Sequence, residues 1–109
     1  MTTTLTVAEN YERARRYFDA RDYITAAEYL ADVVAAVPED VAVRLLLARA
    51  YYHSAQLTRA EATLRDVIAQ DPSEAYAYLM LGRVLQRQSR PEEAAAPLRI
   101  AAAMSDYIE

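Results

Sequence analysis

The sequence predicts an all-α fold of stacked helical hairpins, and three observations support this prediction. Apolar and small residues recur with a period of about 34 residues, so that Leu30, Leu64 and Leu98 occupy equivalent positions. The 109-residue chain has a single Gly and four Pro, which suits a helical chain with sharply ended helices. Within each period, apolar residues recur at helical spacing. Such a period is typical of repeat proteins, in which each unit buries its apolar face against the next.

The first hairpin is predicted from its helix starts. Thr6 followed three residues later by Glu9 forms a capping-box signature, so the first helix should begin near Val7. Asp22 is expected to cap a second helix that runs over about 23–36. The first helix is polar on most of its surface, as expected at the end of a repeat array.

The second hairpin follows the same plan. Asp40 is a plausible cap for the third helix. Thr58 with Glu61 forms another capping-box pattern, which predicts that the fourth helix opens near Arg59 and ends near Ala69.

The third hairpin contains two unusual residues. Its first helix is expected over about 74–88, with Gly82 in the interior as a small residue that lets two helices approach closely. Ser89 is predicted to cap the sixth helix, with Pro91 in the first turn. Pro97 lies further inside that helix and removes a backbone donor, so we expect it to bend or shorten the helix.

Composition limits the possible functions. The net charge of −4 argues against nucleic-acid binding as the main activity. No apolar run is long enough to span a membrane, and residues 1–6 lack the features of a secretory signal. The absence of Cys excludes disulfides and zinc-thiolate sites and is compatible with a cytoplasmic location, which we expect. We therefore expect no interaction with nucleic acid or membrane.

No residue pattern supports catalysis, a metal site or a cofactor. His53 is the only histidine and Gly82 the only glycine, so the chain has neither a metal-ligand spacing nor a phosphate-binding loop. The carboxylate pairs at 39–40 and 92–93 lie at predicted helix starts, where they complement the helix dipole. We therefore predict that the protein is not an enzyme.

The repeated positions resemble a known family pattern. In the second repeat they read Arg44-x2-Leu47-Ala48-x2-Tyr51, then Ala60-x3-Leu64-x2-Val67, then Pro72. This pattern resembles the tetratricopeptide repeat (TPR), with only the opening Trp replaced. The resemblance implies an α-solenoid of three antiparallel helix-turn-helix hairpins in a right-handed superhelix. It also implies a single domain over 1–109, with repeats at about 7–40, 41–74 and 75–108.

In TPR proteins the first helix of each hairpin lines a concave groove that holds ligand peptides. The resemblance therefore implies peptide-binding positions at Tyr11, Arg15, Phe18, Arg49, Tyr52, His53, Tyr76, Leu79, Arg83 and Arg87. Arg15, Arg49 and Arg83 are one repeat period apart and occupy the same position in each repeat. Arg pairs carboxylates and stacks on flat groups, so this lining suits an extended acidic peptide or a carboxylate terminus. Alternatively, these are solvated helix arginines, or they pair with Glu on neighbouring hairpins.

The sixth helix suggests a second function. It is apolar almost all round, and such a helix is normally buried, yet no repeat follows it in the sequence. Self-association would bury it, which would make the chain a homo-oligomeric assembly module. The predicted interface residues are Ala95, Leu98, Ile100, Ala102 and Met104. The alternatives to self-association are a longer array, a tolerated apolar patch, or a patch covered by the tail at 105–109, which is too short for a further helix.

Overall fold

The structure is a computed structural model that describes residues 5–107. Over this range the chain forms six α-helices and no strand. The helices are α1 (Val7–Asp19), α2 (Tyr23–Ala36), α3 (Val41–His53), α4 (Leu57–Gln70), α5 (Ala75–Arg87) and α6 (Pro91–Tyr107). Ile108 and Glu109, the end of the predicted third repeat and of the tail, lie outside the described residues, as do the first four residues of the segment that lacks signal features.

Each helix packs mainly on its neighbours in sequence. The main contacts join α1 to α2, α3 to α4 and α5 to α6, and further contacts of α2 with α3 and of α4 with α5 link the three pairs. The resulting array is elongated, 51 × 27 × 21 Å. The predicted all-α solenoid of helical hairpins is therefore confirmed.

The same turn closes all three hairpins. Arg21, Ala55 and Ser89 have left-handed backbones, with φ of 64°, 59° and 60°. The next residue in each turn donates its backbone N–H to a carbonyl five residues earlier, at distances of 2.8–2.9 Å. This bond closes the αL turn that commonly ends a helix. The three turns are one repeat period apart, and none of them uses glycine.

Side chains cap four of the helices. The Thr6 hydroxyl accepts the Glu9 N–H at 3.1 Å, and the Glu9 carboxylate accepts the Thr6 N–H at 3.1 Å, which confirms the predicted capping box. The hydrogen bond from the Thr6 backbone holds the pKa of Glu9 below its usual value. Asp22 and Asp40 cap α2 and α3 as predicted, and Glu74 caps α5.

Two predicted caps are wrong. The fourth helix begins at Leu57, so Thr58 lies inside its first turn, and Gln56 precedes it without a side-chain cap. Ser89 ends α5 in a left-handed conformation, and the residue before α6 is Arg90, whose carbonyl accepts the Ala94 N–H. The physical reason is the shared turn, which fixes the start of the second helix two residues after its left-handed residue.

The core is divided into two clusters of buried side chains. One joins the first and second hairpins around Leu30 and Leu46, and the other joins the second and third hairpins around Leu64 and Leu85. Leu30 and Leu64 are completely buried. The core thus lies along the array rather than at a single centre, as expected for a repeat protein.

The close approach in the third hairpin explains its glycine. Ala14 and Ala48, at the equivalent positions of the other repeats, are completely buried. A Cβ added to Gly82 would lie only 2.4 Å from Cγ and Cδ2 of Leu98, so the predicted packing role is supported by geometry. Pro97, by contrast, does not shorten α6, because the helix continues to Tyr107. Of the two predicted effects of Pro97, shortening of α6 is therefore wrong, and bending stays a prediction.

Candidate functional site

The carboxyl-terminal ends of α1, α3 and α5 bring five of the predicted groove residues together. We call this group the stacked-arginine cluster; it consists of Phe18, Arg49, Tyr52, His53 and Arg87. Each of the three helices presents these residues in its last turns because the hairpins are joined in the same way. The cluster contains two guanidinium groups, one imidazole and two aromatic rings.

Each arginine of the cluster stacks on an aromatic ring of the preceding hairpin. Cζ of Arg49 lies 5.1 Å from the centroid of the Phe18 ring, and Cζ of Arg87 lies 4.8 Å from the centroid of the Tyr52 ring. Nη1 of Arg87 also donates to the Tyr52 carbonyl at 3.0 Å. Each cation therefore lies over a ring of the preceding hairpin, which is a common position for arginine on aromatic faces.

His53 lies within a group of aromatic rings. Its ring centroid is 4.7 Å from Tyr23, 5.5 Å from Tyr52 and 6.3 Å from Phe18. Burial, followed by the charges of Arg49 and Arg87, lowers the pKa of His53 below its usual value. The charged form of the imidazole is therefore disfavoured, and the fixed positive charge of the cluster comes from the two arginines.

Tyr23 is a member of this ring group that sequence reasoning missed. It packs edge-on against Phe18, with centroids 5.1 Å apart, in addition to its contact with His53. As the first residue of α2, it lies on the second helix of a hairpin, whereas the family pattern assigns groove positions to first helices. Its place directly after the Asp22 cap was the available signal.

The predicted row of Arg15, Arg49 and Arg83 is not uniform. Nη1 of Arg15 is 3.5 Å from the Tyr11 hydroxyl of the same helix, Arg49 stacks on Phe18, and Arg83 is exposed. Between residues 5 and 105, none of the three forms an ion pair with an acidic side chain. The ring equivalent to Phe18 is covered by Arg87 instead of Arg83, because the repeat fixes backbone positions but not side-chain directions.

Tyr76 and Leu79 lie away from the cluster, at the end of the array. They line a groove of about 450 Å³ between α5 and α6, together with Leu98, Ala101 and Ala102. The equivalent of Leu79 in the second repeat is Leu45, which is partly buried against the core that α5 completes. The end groove is therefore the surface that a further hairpin would cover in a longer array.

The predicted interface residues on α6 do not form one face. Leu98 is partly buried against the core of the second and third hairpins. Ala102 lines the end groove, while Ile100, 42% exposed, lines a separate pocket beside α4. A helix turns by about 100° per residue, which places Ala95 beside Ala102 and Met104 beside Ile100. The five residues thus divide over two sides of the helix.

An ion-pair network joins α4 to the start of α6. Nη1 of Arg90 is 2.7 Å from the Glu61 carboxylate, and its Nε is 2.7 Å from that of Glu93. Arg65 adds a contact of 3.0 Å to Glu61. The hydrogen bond from Arg90 is the main reason that the pKa of Glu61 lies below its usual value. This network joins two hairpins and has the character of a structural contact.

Metal sites and membrane-spanning helices are both absent from the part of the chain that the structure describes. Among residues 5–107 no group of three or more His, Cys, Asp or Glu side chains is arranged to hold a metal ion. No helix in this range combines the length and the apolar character needed to cross a membrane.

Solved structures of MamA proteins have a similar fold. The chain superposes on MamA MSR-1 with a TM-score of 0.90 at 17% identity, covering 95% of this chain and 60% of that one. For residues 41 to the end of MamA from Desulfovibrio magneticus RS-1, the TM-score is 0.85 at 24% identity, with coverage of 93% and 57%. The chain thus spans less than two thirds of the length of these structures. At such identities the similarity shows the fold alone.

Sequence comparison identifies the family. No curated protein sequence matches the chain significantly. The profile of the tetratricopeptide repeat matches residues 17–81, which is more than half of the chain. The protein therefore belongs to the tetratricopeptide repeat family.

Proposed function

We propose that the protein is an interaction scaffold that binds an extended acidic segment of a partner protein in its concave groove. The observation that carries this proposal is the stacked-arginine cluster. Its two arginines are held on aromatic rings and form no ion pair with residues 5–105, so their charge is available to a ligand. A positive groove in a chain with a net charge of −4 favours an acidic partner segment.

The proposal extends to the organisation of the chain. We propose a single domain with three repeats, so that the groove is one continuous surface contributed by α1, α3 and α5. The mechanism is passive: a preformed surface presents arginines and aromatic rings, and little ordering is required of them on binding. We also propose a cytoplasmic location, with which the absence of cysteine is compatible.

The test uses a fluorescein-labelled hexaglutamate peptide, with hexaglutamine as the uncharged control. We expect wild type to bind hexaglutamate in a salt-sensitive manner, measured by fluorescence anisotropy. Arg87→Glu should abolish this binding. Arg13→Glu changes the net charge equally on an exposed part of α1 and should leave the binding unchanged. Equal loss in both variants, or no binding by wild type, would refute a specific acidic-ligand groove.

The test extends to the remaining arginines and to the type of carboxylate. Arg15→Glu, Arg49→Glu and Arg83→Glu show which of them contribute to the affinity. Hexaglutamate with an amidated terminus separates recognition of a carboxylate terminus from recognition of acidic side chains. A large loss of affinity on amidation would assign the site to the terminus, while no loss would assign it to the side chains.

A second candidate function is self-association through the end of the array. It is favoured by the contrast between the apolar end groove at α5 and α6 and the opposite end, where α1 exposes Glu9, Glu12, Arg13 and Arg16. This contrast disfavours head-to-tail stacking and favours pairing of two identical end faces. Glu92 and Arg99 are exposed two turns apart on α6. Antiparallel pairing of two α6 helices would therefore bring Glu92 of one copy opposite Arg99 of the other, and the reverse.

Light scattering over a range of concentrations tests this second candidate. A dimer is expected whose mass falls to that of a monomer in Ala102→Glu. Glu92→Arg alone should weaken the dimer, and Glu92→Arg combined with Arg99→Glu should restore it, because the pairing is reciprocal. A monomer at all concentrations would exclude this function and leave the groove proposal unaffected.

A further inference from the structure

Two fixed positive charges lie beside the same imidazole ring in the stacked-arginine cluster. Arg49 belongs to the same helix as His53, one turn earlier, and Arg87 reaches the cluster from α5. Both charges act on His53 strongly enough to contribute to lowering its pKa. The rings under these two arginines, Phe18 and Tyr52, lie 6.3 and 5.5 Å from the His53 ring, so both arginines are placed next to one imidazole. Arg15 and Arg83, by contrast, lie about one turn before Phe18 and Arg87 on their helices.

Each of the two guanidinium groups lies over an aromatic ring. A guanidinium group in this position can still donate hydrogen bonds from the N–H groups at its edge to oxygen acceptors. Arg87 uses one N–H for the Tyr52 carbonyl, and its others remain available. Nε of Arg49 is buried and has no hydrogen-bond partner within the described part of the chain. The cluster thus holds N–H donors for which the described part of the chain supplies no acceptor.

We propose that the stacked-arginine cluster binds a phosphate monoester dianion on the partner segment, with Arg49, Arg87 and His53 as the donors. This inference rests on the proposed function, since it assigns the main anchoring group of the segment that lies in the groove. A dianion neutralises both arginines, whereas one carboxylate leaves a positive charge without a counterpart. Phosphorylated side chains carry close to two negative charges at pH 7 and offer three oxygen acceptors, which suit two guanidinium edges and one ring N–H.

The surroundings of His53 support this choice. The described groups that face it are Arg49 on its own helix, Phe18 from α1, Tyr23 from α2 and Arg87 from α5, with Tyr52 beside it in sequence. The acidic residues nearest to these rings in sequence, Asp19 and Asp22, form no ion pair with either arginine. Asp19 ends α1 in an exposed position, and Asp22 accepts the Thr25 N–H as a helix cap. A bound dianion would counter both arginines and so raise the pKa of His53.

The test uses the fact that His53 is the only histidine, so its ring signals in NMR spectra report on this site alone. Wild type is titrated with inorganic phosphate at pH 7.5, with acetate at matched ionic strength as the monoanion control. We expect phosphate to shift the His53 signals saturably and to raise the pKa of His53, and acetate to do neither. Equal effects of phosphate and acetate, or no saturation with phosphate, would overturn the proposal.

Variants locate the site within the groove. Arg49→Gln and Arg87→Gln should each weaken phosphate binding about tenfold or more, as expected for the loss of a charge-assisted hydrogen bond. Arg15→Gln and Arg83→Gln remove the same charge elsewhere in the groove and should change affinity less than about twofold. If these two weaken binding as much as the first two, the whole arginine row binds the anion and the proposal is wrong.

A peptide pair separates this inference from the proposed function. A labelled glycine-serine peptide with one phosphoserine should bind to wild type, and its unphosphorylated form should not. If hexaglutamate binds while the phosphoserine peptide and inorganic phosphate do not, the phosphate assignment fails and the acidic groove stands. If none of the three binds, both proposals fail.

Discussion

The two junctions between hairpins share one kind of contact, an arginine over an aromatic ring, and differ in another, an ion pair. At the first junction Arg49 of the second hairpin stacks on Phe18 of the first, and at the second junction Arg87 of the third hairpin stacks on Tyr52 of the second. The second junction is also joined by the Glu61–Arg90 ion pair. The first junction has no such pair among the described residues.

The difference follows from equivalent positions in the repeat. Ala27 and Gln56 stand at the first junction where Glu61 and Arg90 stand at the second. A cleft of about 450 Å³ lies there, lined by Ala27 and Gln56 together with Ile24 and Tyr51. One backbone plan therefore accepts either an ion-pair network or an open cleft. The arginine–ring contacts recur at both junctions, whereas among the described residues the ion pair joins the second junction alone.

Loss of core packing should have the largest effect and should differ between the junctions. Leu64→Ala removes a completely buried side chain from the second core cluster and should lower the free energy of unfolding by about 2–5 kcal/mol. The equivalent Leu30→Ala should cause a smaller global loss, because the first hairpin is at an end and can unfold separately. Urea denaturation monitored by circular dichroism measures both. A larger loss in Leu30→Ala would contradict this ordering.

Introducing the Glu61–Arg90 ion pair at the equivalent positions of the first junction should show how much such a pair contributes to stability there. Ala27→Glu alone places a carboxylate at a site that is 2% exposed and should destabilise the protein by about 1–3 kcal/mol. Adding Gln56→Arg should recover most of this loss, since it rebuilds the pair present at the second junction. Thermal unfolding of the two variants tests this prediction. Failure of the second substitution to recover stability would show that the junctions differ in backbone as well as in side chains.

Filling the close contact in the third hairpin should cause a moderate loss. Gly82→Ala gains about 1 kcal/mol of helix propensity, but the new methyl group overlaps Leu98, which costs about 1–3 kcal/mol. We expect a net destabilisation of about 1 kcal/mol in urea denaturation. In a Leu98→Ala background the same change should become stabilising, because the overlap is gone. Destabilisation in both backgrounds would locate the cost elsewhere.

The ion-pair network should have the smallest effect, and that effect should depend on pH. The folded-state pKa of Glu61 is lowered, mainly by the Arg90 hydrogen bond, so its contribution to stability is present above the unfolded pKa of about 4.3 and is lost as the pH falls through the lower folded value. Glu61→Gln lacks this contribution. The difference in urea midpoint between wild type and Glu61→Gln should therefore shrink from pH 7 to pH 3. A constant difference would exclude an electrostatic origin.

The repeat period and the capping residues predicted most of the fold. The starts of α1, α2 and α3 follow from Thr6, Asp22 and Asp40, whose side chains bond to nearby backbone N–H groups. The predicted caps Thr58 and Ser89 were wrong because a left-handed turn, rather than a capping residue, fixes where the second helix of each hairpin begins. No characteristic residue in the sequence indicates this turn. Such a turn usually contains Gly or Asn, and this chain uses Arg, Ala and Ser instead.

The stacked-arginine cluster was predictable as a set of positions but not as a set of contacts. The resemblance to the TPR family implied Arg49, Tyr52 and His53 as neighbouring positions on one helix, and the structure brings them together with Phe18 and Arg87. The spacing also suggested that Arg83 would be equivalent to Arg49, yet Arg87 covers the Tyr52 ring. Which of two arginines one turn apart reaches a ring depends on side-chain rotamers, which a sequence pattern does not contain.

The three left-handed turns have a consequence for how this protein can be modified. A residue other than glycine costs about 1–2 kcal/mol in this conformation, and Arg21, Ala55 and Ser89 all adopt it. Each hairpin therefore has one position where glycine or asparagine would suit the backbone better. These positions mark the chain as far from its maximum stability, as is usual for natural proteins. Substituting glycine or asparagine at one of these positions would therefore raise the local stability of a single hairpin.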